Sequence, residues 1–536
     1  MRWHLAFLAA FVAVSTTPAA DTKAKPTPDP AALAATIDRH IAASLLARSV
    51  KPTPRADDAT FFRRINLALA GRIPLPADVR AFVADTDPAK RRKAIDKLLD
   101  SPRYVNHFTT LWRGWMLPEA TTNFEVAYTV GSFEDWLRDR VKSNTPYDKI
   151  VTELLTTPVN AESGFPYALQ TIDEGNVNPA AHVTPHAFYK AKEGKPENLA
   201  ASVSRLFLGI QIECAQCHNH PFARWSRDQF WGLAAFFGGI ERVGQNNFYA
   251  PMREVLDRRE LAIPNTERVV QAMFLDEKEP EWKFKTSSRV TLAEWLTAAE
   301  NPFFAKAGAN RMWGYFFGVG IVDPVDDFNE ENKPSHPELL DELAHAFADS
   351  GFDFKYLIRA ICLSEAFQRS SAFTEPNQHD VRLYARFSVQ GLTPEQLYDS
   401  LTSAIMNGEE GPGSAYLQNP SSARRQFLEL FGQSGRKTDS QATILQALAL
   451  MNGQLVAAAT NLDSSRTLSA IVNLPGLTPE ERVEALYLVA LSRPPKAEEL
   501  QRSMKHIQGN GAKGEKKRYA DVLWALLNSV EFRTNH

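Results

Sequence analysis

Cysteine is scarce in this sequence, with three in 536 residues. So few cannot staple a chain of this size, which excludes a disulfide framework. Charge of one sign is also lacking. There are 60 basic and 63 acidic side chains, the net charge is -3, and the pI is near 6.5. That balance gives no field for nucleic acid or an anionic membrane surface. The short basic runs Lys90–Lys93 and Lys516–Arg518 sit in helical patterns and read as solvated helix faces. Beyond the N-terminal stretch, no apolar run is long enough to cross a bilayer. There is no Gly-x-Ser-x-Gly, His-Glu-x-x-His, P-loop or dinucleotide fingerprint. The common hydrolase and nucleotide chemistries therefore gain no support, and whether the chain is an enzyme stays open. What remains is ordinary globular composition, 44% hydrophobic and 23% charged, enough for a large core.

Against that background one stretch stands out, CAQCHNHPF at Cys214–Phe222. It holds two of the three cysteines and two of the 12 histidines. Cys-x-x-Cys-His is the attachment signature of a c-type haem. Cys214 and Cys217 can bind the two vinyl groups, and His218 can ligate the iron. Met252, Met273, Met312, His220 and His336 are candidates for the second axial ligand, and spacing does not choose among them. The nearby aromatics Phe222, Trp225, Phe230, Trp231, Phe236 and Phe237 can wall a pocket or serve as plain core. A rival assignment is zinc on Cys214, Cys217 and His220, with a fourth ligand from His182, His186 or a carboxylate. His220 is the better third ligand there, because the side chains of adjacent Cys217 and His218 diverge. A third possibility is a disulfide between Cys214 and Cys217. A redox role for it is weakened by the motif's predicted place at a helix C-terminus, since thiol activation needs the N-terminal end. Cys362, alone in an apolar helical stretch, reads as a small buried hydrophobe.

The N-terminus reads as an export signal. Arg2 precedes the apolar run Trp3–Val14, and small residues follow to Ala20. Residues 1–20 are thus a signal peptide, with a retained anchor as the alternative, and residues 21–30 a flexible leader. The expected location is extracytoplasmic (periplasmic, secreted or cell-envelope), with a redox or cell-envelope protein as partner.

Downstream, apolar residues recur at helical spacing, as in Leu33, Ile37, Ile41 and Leu45. The expected fold is mainly α, built of stacked helical hairpins, with at most a small β hairpin between two halves. Residues 31–242 form the first half, 243–288 a connection, and 289–536 the second half. The hairpin is expected from Val269–Phe274 and Trp282–Phe284. Glu197–Glu213 is expected as one helix running into the Cys motif, while Thr156–Val183 and Gly408–Pro420 read as loops. The sequence also echoes itself. Leu69–Val79 followed by Lys97–Tyr104 resembles Leu491–Leu500 followed by Ala525–Phe532, and Cys362–Phe367 repeats the end piece.

Several of these stretches together resemble a known exported pair. It is the planctomycete cytochrome-like domain two followed by the planctomycete-specific PSD-one domain, both of unknown function. The resemblance rests on RRINLALAGRIPLP (Arg63–Pro76), LLDSPRY (Leu98–Tyr104) and Arg205–Phe237 around the Cys motif. In the second half it rests on Leu292–Phe328, Pro334–Phe347 and Leu491–Pro495. It implies an extracytoplasmic, mostly helical protein with a cytochrome-like Cys-x-x-Cys-His, and no defined reaction. Ala309 departs from the family's aliphatic residue before Asn310-Arg311. Those two residues, with Trp313, are expected to order the turn near Gly318. His336 is expected near a helix start, and Asp326 and Asp327 as caps or turn residues.

Overall fold

The computed structural model describes residues 28–159, 184–221, 223–244, 247–406, 421–432, 443–509 and 514–536, with Leu417, Asn419 and Thr438 besides. The expected signal peptide, most of the leader, His182, Phe222 and most of the two expected loops lie outside them. The protein is mainly α-helical, and its described strands form only two-stranded sheets. Among the described residues no helix is long and apolar enough to cross a membrane.

The first helix shows how the sequence pattern becomes packing. Asp29 accepts the Ala31 N–H and Pro30 opens the first turn of Pro30–Ala47. Its stripe Leu33, Ile37, Ile41 and Leu45 is buried, each side chain contributing about 1.5–3 kcal/mol. That stripe faces helices Pro337–Asp349 and Phe354–Leu363, both in the second half. One hydrophobic core accordingly draws residues from Leu33 to Leu417 and pools both halves. A second core joins Leu67 and Ile73 to residues between Leu392 and Phe532.

The sequence echo is a repeated three-helix unit. Asp58–Ala70, Pro76–Ala84 and Lys90–Leu99 correspond to Pro479–Leu491, Ala497–Gln508 and Glu515–Leu527. The first helix of each unit ends on a left-handed residue, Gly71 or Ser492. Each unit closes on a serine. Ser101 donates to the Leu98 carbonyl (2.7 Å) and accepts the Tyr104 N–H (3.2 Å). Ser529 does the same with Leu526 and Phe532, at 2.7 and 3.2 Å. Ser364 repeats it with Ile361 and Phe367, at 2.8 and 3.2 Å. One hydroxyl thus closes a helix and fixes the turn after it.

Two adjacent arginines tie these turns together. Arg63 donates to the carbonyls of Ala490 (3.2 Å), Glu531 (3.3 Å) and Phe532 (3.0 Å). Arg64 donates to the carbonyls of Phe367 and Arg369 and to the main-chain oxygen of His536. Its guanidinium also lies 3.7 Å from the Phe387 ring centroid. Both side chains are fully buried, and burial lowers their pKa to about 10 and about 9, so both stay charged at neutral pH.

The sheet expectation needs one correction. Val269–Gln271 is a strand, but it pairs with Glu260–Ala262 and not with Trp282–Phe284. Trp282 serves the core instead, 5.9 Å from the Phe236 ring and 4.6 Å from the Arg259 guanidinium. A second hairpin pairs Ile240–Arg242 with Met252–Glu254, and Gln390–Gly391 pairs with Thr534–Asn535.

Arg64→Met should lower the unfolding free energy in a denaturant titration by about 2–3 kcal/mol, since buried carbonyls lose their donor. Arg80→Ala breaks a pair with Glu484 that is exposed on both sides, and should cost less than about 1 kcal/mol. Burial lowers the pKa of His336 and His536 from 6.5 to about 4. The unfolded chain therefore takes up protons that the fold refuses, so stability is full above pH 6.5 and falls as pH drops towards 4. His336→Asn should flatten that slope, checked by melting temperatures across the same window.

Candidate functional site at the Cys214–His220 turn

The approach to the cysteines is not one helix. Helix Pro196–Val203 passes into a wider turn at Ser204–Leu208 and stops at Gly209, whose φ is 69°. The stop is steric as well as conformational. A Cβ on Gly209 would meet Phe328 Cδ2 at 2.6 Å, so the Phe328 ring occupies the space where a side chain would stand. Ser204 Oγ then donates to the Ile210 carbonyl (2.9 Å) and seals the break. The expected Glu197–Glu213 helix is corrected accordingly.

The cysteines lie on a separate 3₁₀ turn, Glu213–Gln216, with Cys217 as its C-cap. Residues three apart share a face in that geometry. Cys214 and Cys217 are both exposed free thiols, whereas Ala215 between them is buried. Helix Arg227–Ala235, started by a Ser226–Gln229 capping box, holds the turn from behind. Its Trp231 Nε1 donates to the Gln216 carbonyl (3.0 Å). The Arg227 N–H donates to Asn219 Oδ1 (3.0 Å), and the His220 N–H to the Trp225 carbonyl (2.8 Å).

His218 is exposed, and its Nδ1 lies 2.7 Å from the Asn219 carbonyl. A carbonyl only accepts, so Nδ1 is the donor, and in the neutral ring Nε2 is the nitrogen that carries the lone pair. His220 is half-buried on the same turn. The aromatics belong to the core. Trp225, Phe230, Trp231, Phe236 and Phe237 are all buried. Of the second-ligand candidates only His220 shares the turn. Met312 is buried in helix Phe304–Phe317, and Met252 is buried in a hairpin strand. Met273 follows the other hairpin, and His336 is buried beside Ser335, whose Oγ is 3.2 Å from its Nδ1.

The second half braces this site. Asp326 accepts from Arg205 Nε (2.8 Å) and Gln211 Nε2 (3.1 Å), and the Phe328 N–H donates to the Gly209 carbonyl (2.8 Å). Arg205 also faces Glu213 at 3.4 Å. Asp326 and Asp327 are thus engaged as bracing and turn residues, the latter accepting from Asn329 Nδ2 at 2.8 Å. Asn310 donates to the Val322 carbonyl (2.8 Å) and accepts the Val322 N–H (3.0 Å), ordering the turn after Gly318. The bracing role of Asp326 leaves no local sequence signal beyond its place in an acidic loop.

Among the described residues, no group of three or more His, Cys, Asp or Glu side chains converges as ligands of a bare metal ion would. A cavity lined by Tyr104, Phe108, Trp112, Tyr147 and Phe354 lies elsewhere, and its volume of about 20 Å³ suits one water. Cys362 is buried, and burial raises its thiol pKa.

Two family models match the chain. PSCyt2, a protein of unknown function (DUF1549), matches residues 36–242. PSD1, a protein of unknown function (DUF1553), matches residues 288–426 and 409–507. No curated protein and no solved structure matches.

The exposure pattern fixes an expected thiol titration. In protein produced without cofactor attachment, and kept reduced, Cys214 and Cys217 should react with a chromogenic disulfide in the native state. Cys362 should react only after denaturation. Three fast thiols, or none, would contradict the packing described.

Proposed function

We propose, for a chain that belongs to the family joining a PSCyt2 domain to a PSD1 domain, an exported redox protein with a c-type haem on the Cys214–His218 turn. It passes electrons to a redox or cell-envelope partner outside the cytoplasm. The observation that carries this reading is the state of His218. Its Nδ1 is committed to the Asn219 carbonyl, which leaves Nε2 as the atom available to an iron.

The donor set fits the group. Cys214 and Cys217 would each hold one vinyl edge through a thioether, and both thiols are free and on one exposed face. His218 would supply the axial nitrogen. A porphyrin brings four nitrogens of its own, so the protein needs no converging cluster of donors, unlike the zinc alternative on Cys214, Cys217 and His220. When bound, the haem supplies a one-electron couple, tuned by its axial ligand and exposure. The chain's own part is to fix the ring of His218 through Asn219, and to hold the turn through Trp231 and Asp326. The N-terminal signal pattern supports export to the compartment where such haem is attached.

The test is expression of the full chain in a periplasm with a cytochrome maturation system. The expected result is a haem that stays with the denatured protein, seen in the reduced pyridine spectrum and in the intact mass. Cys214→Ser with Cys217→Ser should abolish it, and His218→Ala should alter the native spectrum. Absence of covalent haem overturns the reading. Zinc at about one per chain instead would favour the Cys214, Cys217 and His220 assignment.

A further inference from the structure

Helix Ile444–Asn452 is apolar on every side. Its sequence, ILQALALMN, holds no charge, and only Gln446 and Asn452 are polar. A helix of that kind belongs between two partners, yet this one is covered on one side. Gln446 and Leu450 face inward and are buried. Ile444 is 80% exposed, Leu445 68%, Leu448 48% and Met451 44%. At 3.6 residues per turn those four share one stripe about 120° wide, opposite the buried pair. Two neighbours widen it. Leu430, itself 41% exposed, lies alongside, its carbonyl accepting from Gln446 Nε2 (3.2 Å). Trp524 Nε1 donates to the Met451 carbonyl (3.1 Å) at the other end. The five aliphatic side chains expose roughly 500 Å² between them, the size at which a patch commonly marks an interaction site.

Charge decides what can cover the stripe. From Ser440 to Leu462 there is no charged residue. Helices that lie on a lipid surface carry Lys and Arg along their polar flank, and none is present here. At the rim the charges are matched within the chain. Arg425 Nε lies 2.8 Å from Glu429 Oε1, next to Leu430. One turn before Trp524, Asp521 Oδ2 lies 3.2 Å from His506 Nε2. The rim therefore asks no opposite charge of a partner. In a two-fold dimer a patch meets itself, so a net charge on it would repel its own copy. A neutral stripe with an internally matched rim carries no such conflict.

We propose that Ile444–Asn452 is a homodimer interface, in which two copies of the chain pack this stripe face to face across a two-fold axis. The apolar area of roughly 500 Å² per copy falls short of the about 800 Å² per partner of a standard interface. The dimer is therefore a reversible one, dissociating in the micromolar range.

The test uses the full chain. Sedimentation velocity from about 1 to about 100 μM should show a monomer–dimer equilibrium. Leu445→Glu sets a carboxylate against its own copy and should weaken association at least about tenfold. Leu46→Glu, at a leucine 81% exposed on the first helix, should leave it unchanged. Radical footprinting of the unaltered chain over the same range should show Ile444, Leu445 and Met451 losing reactivity as the dimer forms, so the outcome does not depend on a variant folding. A chain that stays monomeric throughout overturns the proposal, whether neutral vesicles or another protein then bind the stripe or not. A dimer indifferent to Leu445→Glu, or one with an unchanged footprint at these residues, overturns it as well.

Discussion

Two guanidinium groups buried side by side set the terms for this fold. A charge taken out of water needs partners for its donors. Arg63 and Arg64 direct two nitrogens each at main-chain oxygens, drawn largely from the turns at Phe367–Arg369, Ala490 and Glu531–Phe532, while Arg63 Nε and Arg64 Nη2 are buried without a partner. Those turns are also the places where Ser364 and Ser529 close their helices. The first repeated unit thus holds the other two serine turns by their carbonyls, and the requirement runs both ways. Without the arginines, several carbonyls are buried unpaired. Without the turns, two charges are buried unmet. This reciprocity explains why helices far apart in sequence share one core. Burial, with the Arg63 and Arg64 charges adding to it, also lowers the pKa of His536 in this cluster.

The local grammar of the chain was readable from residues alone. The stripe Leu33, Ile37, Ile41 and Leu45 predicts both a helix and its buried face, and both are present. The serine echo at Ser101, Ser364 and Ser529 has the same hydrogen bonds in each copy because a hydroxyl's reach is local. What escaped the sequence was long-range. Arg63 and Arg64 look like two ordinary helix-surface arginines, because carbonyl acceptors carry no residue identity. The strand Val269–Gln271 was visible as a strand, but its partner was not, since β pairing depends on what the rest of the chain requires. Trp282 was needed over Phe236, and Glu260–Ala262 took the ladder. The end of the helix at Gly209 is a similar case. Glycine permits a stop there, but the Phe328 ring that enforces it comes from the other half of the chain.

The Cys turn shows the same division. That Cys214, Cys217 and His218 belong together is plain in the sequence. That they stand on an isolated 3₁₀ turn is a consequence of tertiary packing. The turn is held behind by Trp231 and at its approach by Asp326 and Phe328. Trp225, Phe230, Trp231, Phe236 and Phe237, which composition alone leaves free to wall a pocket, are consumed by the core.

These braces bear on how the turn can work. A covalent cofactor asks two things of its attachment site: thiols on one face, and a ligand nitrogen whose orientation is fixed. The first follows from the three-residue spacing on a 3₁₀ turn, and the second from the Asn219 carbonyl. A bare metal ion asks for something else, several donors converging on a point, and among the described residues no three His, Cys, Asp or Glu side chains do so. Because Asp326 and Phe328 belong to the second half, the positions of the thiols depend on both halves being present. The first half's signature is therefore held in place by the second, a physical reason for the two to occur on one chain.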